Sequence, residues 1–233
     1  MLRLMKLELK KFKLGWYVRG AIIANIAILA LMIFTSIVAQ VEGDLEMRDP
    51  QTILLMASTV VRATFIIFGS VLIARLIISE YKTKTKTILL MFSYPINRKK
   101  MMASKLAITA IVTFITVILS NILVVGVFFG IDNYFSILPN SFTVDQLTQE
   151  GINLVPLAIS TAGISLIPLY FGMRKRSVPT TIVSSLIVVS IAINNTPMFS
   201  TATFLPLQLA LAAIGVAIAY YGIKNIERED VTV

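Results

Sequence analysis

The sequence contains no cysteine and no histidine. The first absence removes disulfides and thiolate chemistry. The second removes histidine-based triads, the paired-histidine zinc site and the commonest proton shuttle. Charged residues are scarce as well, at 14% of the chain, where a soluble globular protein keeps about 25%. No G-x-x-x-x-G-K-[ST] run occurs, so this chain has no P-loop on which to cradle nucleotide phosphates. Neither a catalytic residue nor a set of metal ligands emerges from the pattern.

Apolar surface is what the chain has in excess: 57% of its 233 residues are hydrophobic and the mean hydropathy is +0.85. Six apolar spans stand out, Gly20 to Ala39, Ile53 to Ser79, Met101 to Gly130, Ile152 to Gly172, Val178 to Ile193 and Phe204 to Gly222. At 1.5 Å per residue such helices cross about 30 Å of hydrocarbon. The fifth is marginal; the second and third are longer than needed and are expected to tilt or project. The expectation is an all-α polytopic membrane protein with one transmembrane domain over residues 1–233. The first span is preceded by a basic region reaching Arg19 and is itself too long for a signal peptide, although Ile37-Val38-Ala39 loosely resembles a cleavage site.

Charge then orients the spans. Of the 21 Lys and Arg, all but Arg48, Arg62 and Arg75 fall in Met1 to Arg19, Glu80 to Lys105, Met173 to Arg176 and Lys224 to Val233, segments that must share a side. Only Arg48 joins the opposite side, which collects Glu42, Asp44, Glu46, Asp49, Asp132, Asp145 and Glu150. Short basic loops stay cytoplasmic on insertion, so both termini are expected inside. The net charge of +9 is accounted for by this topology and by attraction to anionic headgroups. Without interleaved aromatics it does not point to nucleic acid.

Local patterns add detail. Leu2, Met5, Leu9, Phe12 and Trp16 share a helical face, away from Lys6, Lys10 and Lys13, which predicts an amphipathic elbow helix on the membrane surface within residues 1–19. Gly15 is expected to break it, with Trp16 and Tyr17 as interfacial anchors. Small residues at close-packing spacing, Gly126 and Gly130, Ala158 and Ala162, Ala213 with Gly215 and Ala217, suit helix contacts in lipid. Pro156 and Pro168 predict kinks in the fourth span.

The densest information lies between the second and third spans. There Glu80-Tyr81 and a Lys/Thr run lead into Ile88-Leu89-Leu90-Met91-Phe92, closed by Ser93-Tyr94-Pro95 and Ile96-Asn97-Arg98. Five large apolar residues halted by Pro95 describe a short helix with something apolar to touch. Asn97 is placed to cap the third span, whose first turn is filled by Arg98, Lys99 and Lys100, against the helix dipole. Anionic headgroups or an acidic partner would offset that repulsion.

At these residues the chain resembles the membrane subunits of ABC-2 type ATP-binding cassette exporters. Their loop after the second span runs from an acidic residue through Gly-Thr and leucines to a Pro-Ile-Ser-Arg-like ending and a following Lys. Glu80, Thr87, Leu89, Leu90, Ser93, Pro95, Ile96, Arg98 and Lys105 match it, while Lys86 replaces the Gly and Asn97 the Ser. The resemblance implies a short cytoplasmic coupling helix, with Glu80, Thr87, Leu89, Leu90, Phe92, Pro95 and Arg98 as the ATPase-coupling residues. It also implies a separate ABC ATPase subunit carrying ATP and Mg, with no cofactor on this chain, and a second permease subunit, identical or sister. Among such permeases the small size is similar to exporters of bacteriocins or toxin peptides of the phenol-soluble-modulin kind, and to self-immunity permeases. The resemblance thus implies a bacterial cytoplasmic membrane and an amphipathic peptide or other hydrophobic cargo.

Two basic residues lie inside a span. Arg62, about ten residues in, is too costly to face lipid and is expected on a translocation path or against another helix. Arg75 is nearer the basic end, where snorkelling fits better than a path role. The predicted spans hold no Asp or Glu, which disfavours an ion-coupled secondary transporter. A membrane enzyme or a non-transporting scaffold are the alternatives to an exporter subunit. Asn121, Asn194 and Asn195 could line a path, but amides near an outer boundary are more often caps or interface residues.

Overall fold

A computed structural model describes residues 15–43, 48–79, 98–135, 144–175, 177–193, 195–196, 199–200 and 204–229. The elbow residues 1–14 and the loop residues 80–97 lie outside this set. Helix α1 covers Gly15–Glu42, and α2 covers Pro50–Ile73, continuing as a π-helical turn over Ala74–Ile78. Helices α3 (Arg98–Phe135), α4 (Val144–Ile164), α5 (Pro168–Lys175), α6 (Val178–Ala192) and α7 (Leu205–Glu229) follow. Between α6 and α7 sits a two-residue antiparallel pairing of β1 (Asn195–Thr196) with β2 (Phe199–Ser200). Among the described residues the fold is otherwise all helical.

Five stretches are long and apolar enough to cross a membrane: Gly15–Glu42, Pro50–Ile78, Lys100–Tyr134, Asp145–Lys175 and Leu205–Lys224. The sixth predicted span is α6, which has 15 residues and so rises about 22 Å, short of the hydrocarbon thickness. Its bounds match the expected Val178 to Ile193 closely. The larger differences are at the acidic end. There α3 runs on to Phe135 and α4 starts at Val144, so the outer segment expected from Ile131 to Gly151 is mostly helix.

Local signals account for the ends. Helix α1 stops at Gly43, whose φ of 72° is the left-handed conformation that glycine adopts without cost after a helix. Gly15 opens the described part of α1; the elbow that it was expected to break lies outside the described residues. Of the two expected anchors, Trp16 is exposed, but Tyr17 is buried and its hydroxyl meets Thr116 Oγ1 at 3.1 Å. Pro156 lies inside α4 without ending it. The interruption comes before Pro168, which has no N–H for the Ile164 carbonyl. Around it Leu166 and Ile167 donate instead to Gly163 and Ile164, three residues back, at 3.1 and 3.0 Å.

Packing divides the bundle into two ends and a middle. Tyr17, Leu76, Ile78, Met102, Leu169 and Ala219 form one buried cluster; Met32, Ile53, Leu54, Val124 and Phe128 form another. The first gathers the start of α1, the end of α2, the start of α3 and the ends of α5 and α7. Arg75, Lys100, Arg174, Lys175 and Lys224 therefore emerge at one end of the bundle. Glu42, Asp49, Asp132 and Asp145 lie towards the other.

The most extensive contact joins α7 to α4. A Cβ on Gly215 would lie 2.0 Å from the Gly163 carbonyl oxygen, and one on Gly163 would lie 2.6 Å from the Ala212 Cβ. Only hydrogen at both positions permits this approach, the arrangement by which small residues let helices pack in lipid. Of the small-residue pairs predicted from spacing, Ala158 and Ala162 are buried, as is Gly215. Gly126, Gly130, Ala213 and Ala217 face outward.

Candidate functional site in the bundle interior

A helix in lipid turns its polar side chains inward, away from hydrocarbon, so the places where they gather inside the bundle are informative. Along α3 the spacing of four residues puts Lys105, Thr109 and Thr113 on one face, continued by Ser120 and Asn121, and all five are buried. This face meets α2 near Thr113 and α1 at Ser120. A Cβ on Gly69 of α2 would come 2.7 Å from the Ser165 Cβ and 3.1 Å from Thr113 Oγ1. Gly69 is thus the point at which α2, α3 and the end of α4 converge on hydroxyl groups.

Arg62 stands seven residues before Gly69, about 10 Å farther along α2, and is 1% exposed. Its chain neighbours Val61 and Phe65 pack in one cluster with Val117, Val124 and Ala158. Since α3 runs opposite to α2 there, Arg62 lies level with Ser120 and Asn121. The guanidinium is thus in the bundle interior and not on the lipid face, as the cost of exposing it to hydrocarbon requires. Arg75, expected to snorkel more than to line a path, lies on the outside. Its Cζ is 3.8 Å from the centre of the exposed Trp16 ring, a cation–π contact that ties the end of α2 to the start of α1. The two arginines are not brought together.

The interior polar groups are partly satisfied within the bundle. Asn25 Nδ2 donates to Ser120 Oγ at 2.9 Å, and Ser160 Oγ to Gln208 Oε1 at 3.3 Å. Thr109 Oγ1 donates to the Lys105 carbonyl, and Ser165 Oγ to that of Ala162. By contrast Asn25 Oδ1, Thr113 Oγ1 and Asn121 Nδ2 have no hydrogen-bond partner among the described residues. Unsatisfied buried polar atoms cost about 1–3 kcal/mol each, so a seam holding three of them is suited to receiving water or a polar ligand.

Several of these residues escaped the sequence reading. Asn121, weighed as a path residue or a boundary cap, is buried within α3. Lys105, counted with a basic flank, is also buried, as is Asp132, expected in an outer segment. Gln208 of α7 was not singled out. The signal that identifies the seam is the four-residue recurrence of Lys105, Thr109 and Thr113 within an otherwise apolar helix. Of the predicted coupling residues, Glu80, Thr87, Leu89, Leu90, Phe92 and Pro95 lie outside the described residues; the backbone of Arg98 begins α3. Among the described residues no group of acids could hold a metal.

Long apolar helices around a buried polar seam define a multi-span helical membrane protein. The chain is 42% identical to the uncharacterized protein YcbO of Bacillus subtilis (strain 168) over 229 residues, 98% of this chain and 100% of that protein. It belongs to the YcbO family. No family model and no solved structure matches it.

Proposed function

We propose that this chain is the membrane-spanning permease subunit of an ATP-driven exporter of the ABC-2 type. It crosses the bacterial cytoplasmic membrane six times, with α6 as the short fifth crossing, residues 1–19 as the elbow and both termini inside. The observation that carries this reading is the Glu80 to Arg98 loop, with its acidic start, leucine run and Pro-Ile-Asn-Arg ending. The helices it joins support it, because Ile78 and Met102 belong to one cluster at the basic end. A π-helical turn immediately before the loop also supports it, since such turns recur at functional positions. Helix α6 starts beside that cluster at Val178 and reaches the middle of the bundle at Val188 and Ala192, so the fifth crossing on this reading needs the residues after Ile193 as well.

On this reading two such subunits, identical or sister, pair with two ATPase chains that bind ATP and Mg. ATPase closure pushes on the 80–98 loop and shifts the spans between inward-open and outward-open arrangements around Arg62. ATP drives transport only in so far as it is bound differently in those two states. The cargo is an amphipathic peptide or other hydrophobic molecule, moved outward for export or self-protection.

The direct test of coupling is Phe92→Ala. A large aromatic anchor in a protein interface can be worth 2 kcal/mol or more, so the variant should insert normally but lose most transport and cargo-stimulated ATP hydrolysis. Wild-type coupling in that variant, or failure of any ATPase chain to co-purify, would favour a membrane enzyme or scaffold. Orientation is tested separately on the cysteine-free background. Single cysteines replacing Glu42 and Asp145 should react with an impermeant thiol reagent in intact cells, while those replacing Lys175 and Lys224 should react only after permeabilisation. Labelling of Lys175→Cys from outside would invert the topology.

A further inference from the structure

A second feature lies away from the polar seam. Helices α5, α6 and α7 leave between them a groove of about 540 Å³, within the size range of ligand pockets. Its floor is Ile164 and Val188, both buried, and its walls include Ile187 and Ile214, which are more than half exposed. It therefore opens sideways to the medium around the bundle. From Thr180 to Ile191 it follows α6 for about 16 Å. At the basic end it is closed by the exposed Arg174 and Lys175, and among the described lining residues there is no Asp or Glu.

The shape and charge separate along one axis: an apolar trough within the depth of the membrane, and two cations where the trough meets the bundle end. We propose that this groove is a binding site for an anionic phospholipid, one acyl chain lying along Ile187 and Ile191 and the phosphate held by Arg174 and Lys175. The groove faces the lipid laterally, so the ligand enters from the bilayer without crossing water. Guanidinium and ammonium groups both suit phosphate, the first as a fork and the second as a point charge. Basic pockets between spanning helices recognise anionic headgroups for this reason. An amphipathic peptide is disfavoured, because between the basic end and Ile191 the lining offers only Thr180 and Ser184 as polar partners for a peptide backbone. The site does not depend on the exporter reading.

The test uses the full-length protein in detergent micelles, titrated with fluorescently tagged phosphatidylglycerol or with phosphatidylcholine carrying the same chains. Phosphatidylglycerol should bind at least about tenfold more tightly, a preference worth about one tenfold step per pair of headgroup contacts. The double variant Arg174→Gln, Lys175→Gln should remove that preference, while Lys224→Gln, a charge at the same end outside the groove, should leave it intact. Ile187→Trp, an exposed position that tolerates bulk, should weaken binding of both lipids by filling the trough. Equal affinity for the two lipids, an undiminished preference in the double variant, or displacement of lipid from the groove only by an acidic amphipathic peptide would each overturn the proposal.

Discussion

Gly215→Leu should prevent the bundle from closing, and Gly215→Ala should lower stability by about 2–3 kcal/mol, the upper part of the range for overpacking a tight interior. The reason is geometric. The first atom of any side chain at Gly215 falls 2.0 Å from the backbone oxygen of Gly163, and a backbone atom cannot rotate away as a side chain can. The helices must separate instead, along the most extensive contact in the fold. Melting of the detergent-solubilised protein, followed by loss of the monodisperse peak on size-exclusion chromatography, measures the effect. Gly126→Ala is the matched control, since nothing lies within 4 Å of its added carbon and surface changes stay within about 0.5 kcal/mol. If Gly215→Ala melts like Gly126→Ala, the close α4–α7 crossing is wrong.

Replacement of Arg62 should have the largest effect on transport. This charge is 1% exposed, level with a hydroxyl-rich face of α3, in a low-dielectric setting where charge pairing is stronger than in water. On the exporter reading, Arg62→Gln should weaken export of an anionic cargo at least about tenfold, the value of a charge-assisted contact near 1.5 kcal/mol. A neutral analogue should be affected less. Arg62→Leu should abolish the discrimination, and its melting temperature measures what the guanidinium contributes to the bundle. Transport of two substrates differing by one carboxylate, together with melting temperature, separates the roles. Collapse of stability in Arg62→Leu with equal export of both substrates by Arg62→Gln would make Arg62 a structural pairing residue.

That the chain is helical and apolar enough for a membrane, and roughly where its five long apolar helices lie, was legible in the amino-acid sequence. Both conclusions follow from local quantities: runs of apolar residues, and the segregation of Lys and Arg from Asp and Glu along the chain. The α6 bounds were legible because a basic turn before Val178 and polar residues after Ile193 punctuate it. The extent of α3 and α4 was not, because Asp132, Asp145 and Glu150 look like loop residues when read alone, yet they continue helices whose packing outweighs local preference.

Which faces turn inward was decided only by tertiary structure. In a bilayer the hydrophobic effect does not distinguish core from lipid face, so an all-round apolar helix carries little record of its packing side. Small-residue spacing named Gly126 and Gly130, which face outward, as readily as Ala158 and Ala162, which are buried. Gly163, which meets Gly215, belonged to no predicted pair. The same ambiguity hid the role of Tyr17, an expected interfacial anchor that instead reaches Thr116. Arg62 and Arg75 were separated in the sequence only by depth, Arg75 being nearer the basic end. Their turn around α2 sends one into the seam and the other onto Trp16, because a helix rotates each residue by a fixed angle and only its neighbours decide which angle is inside.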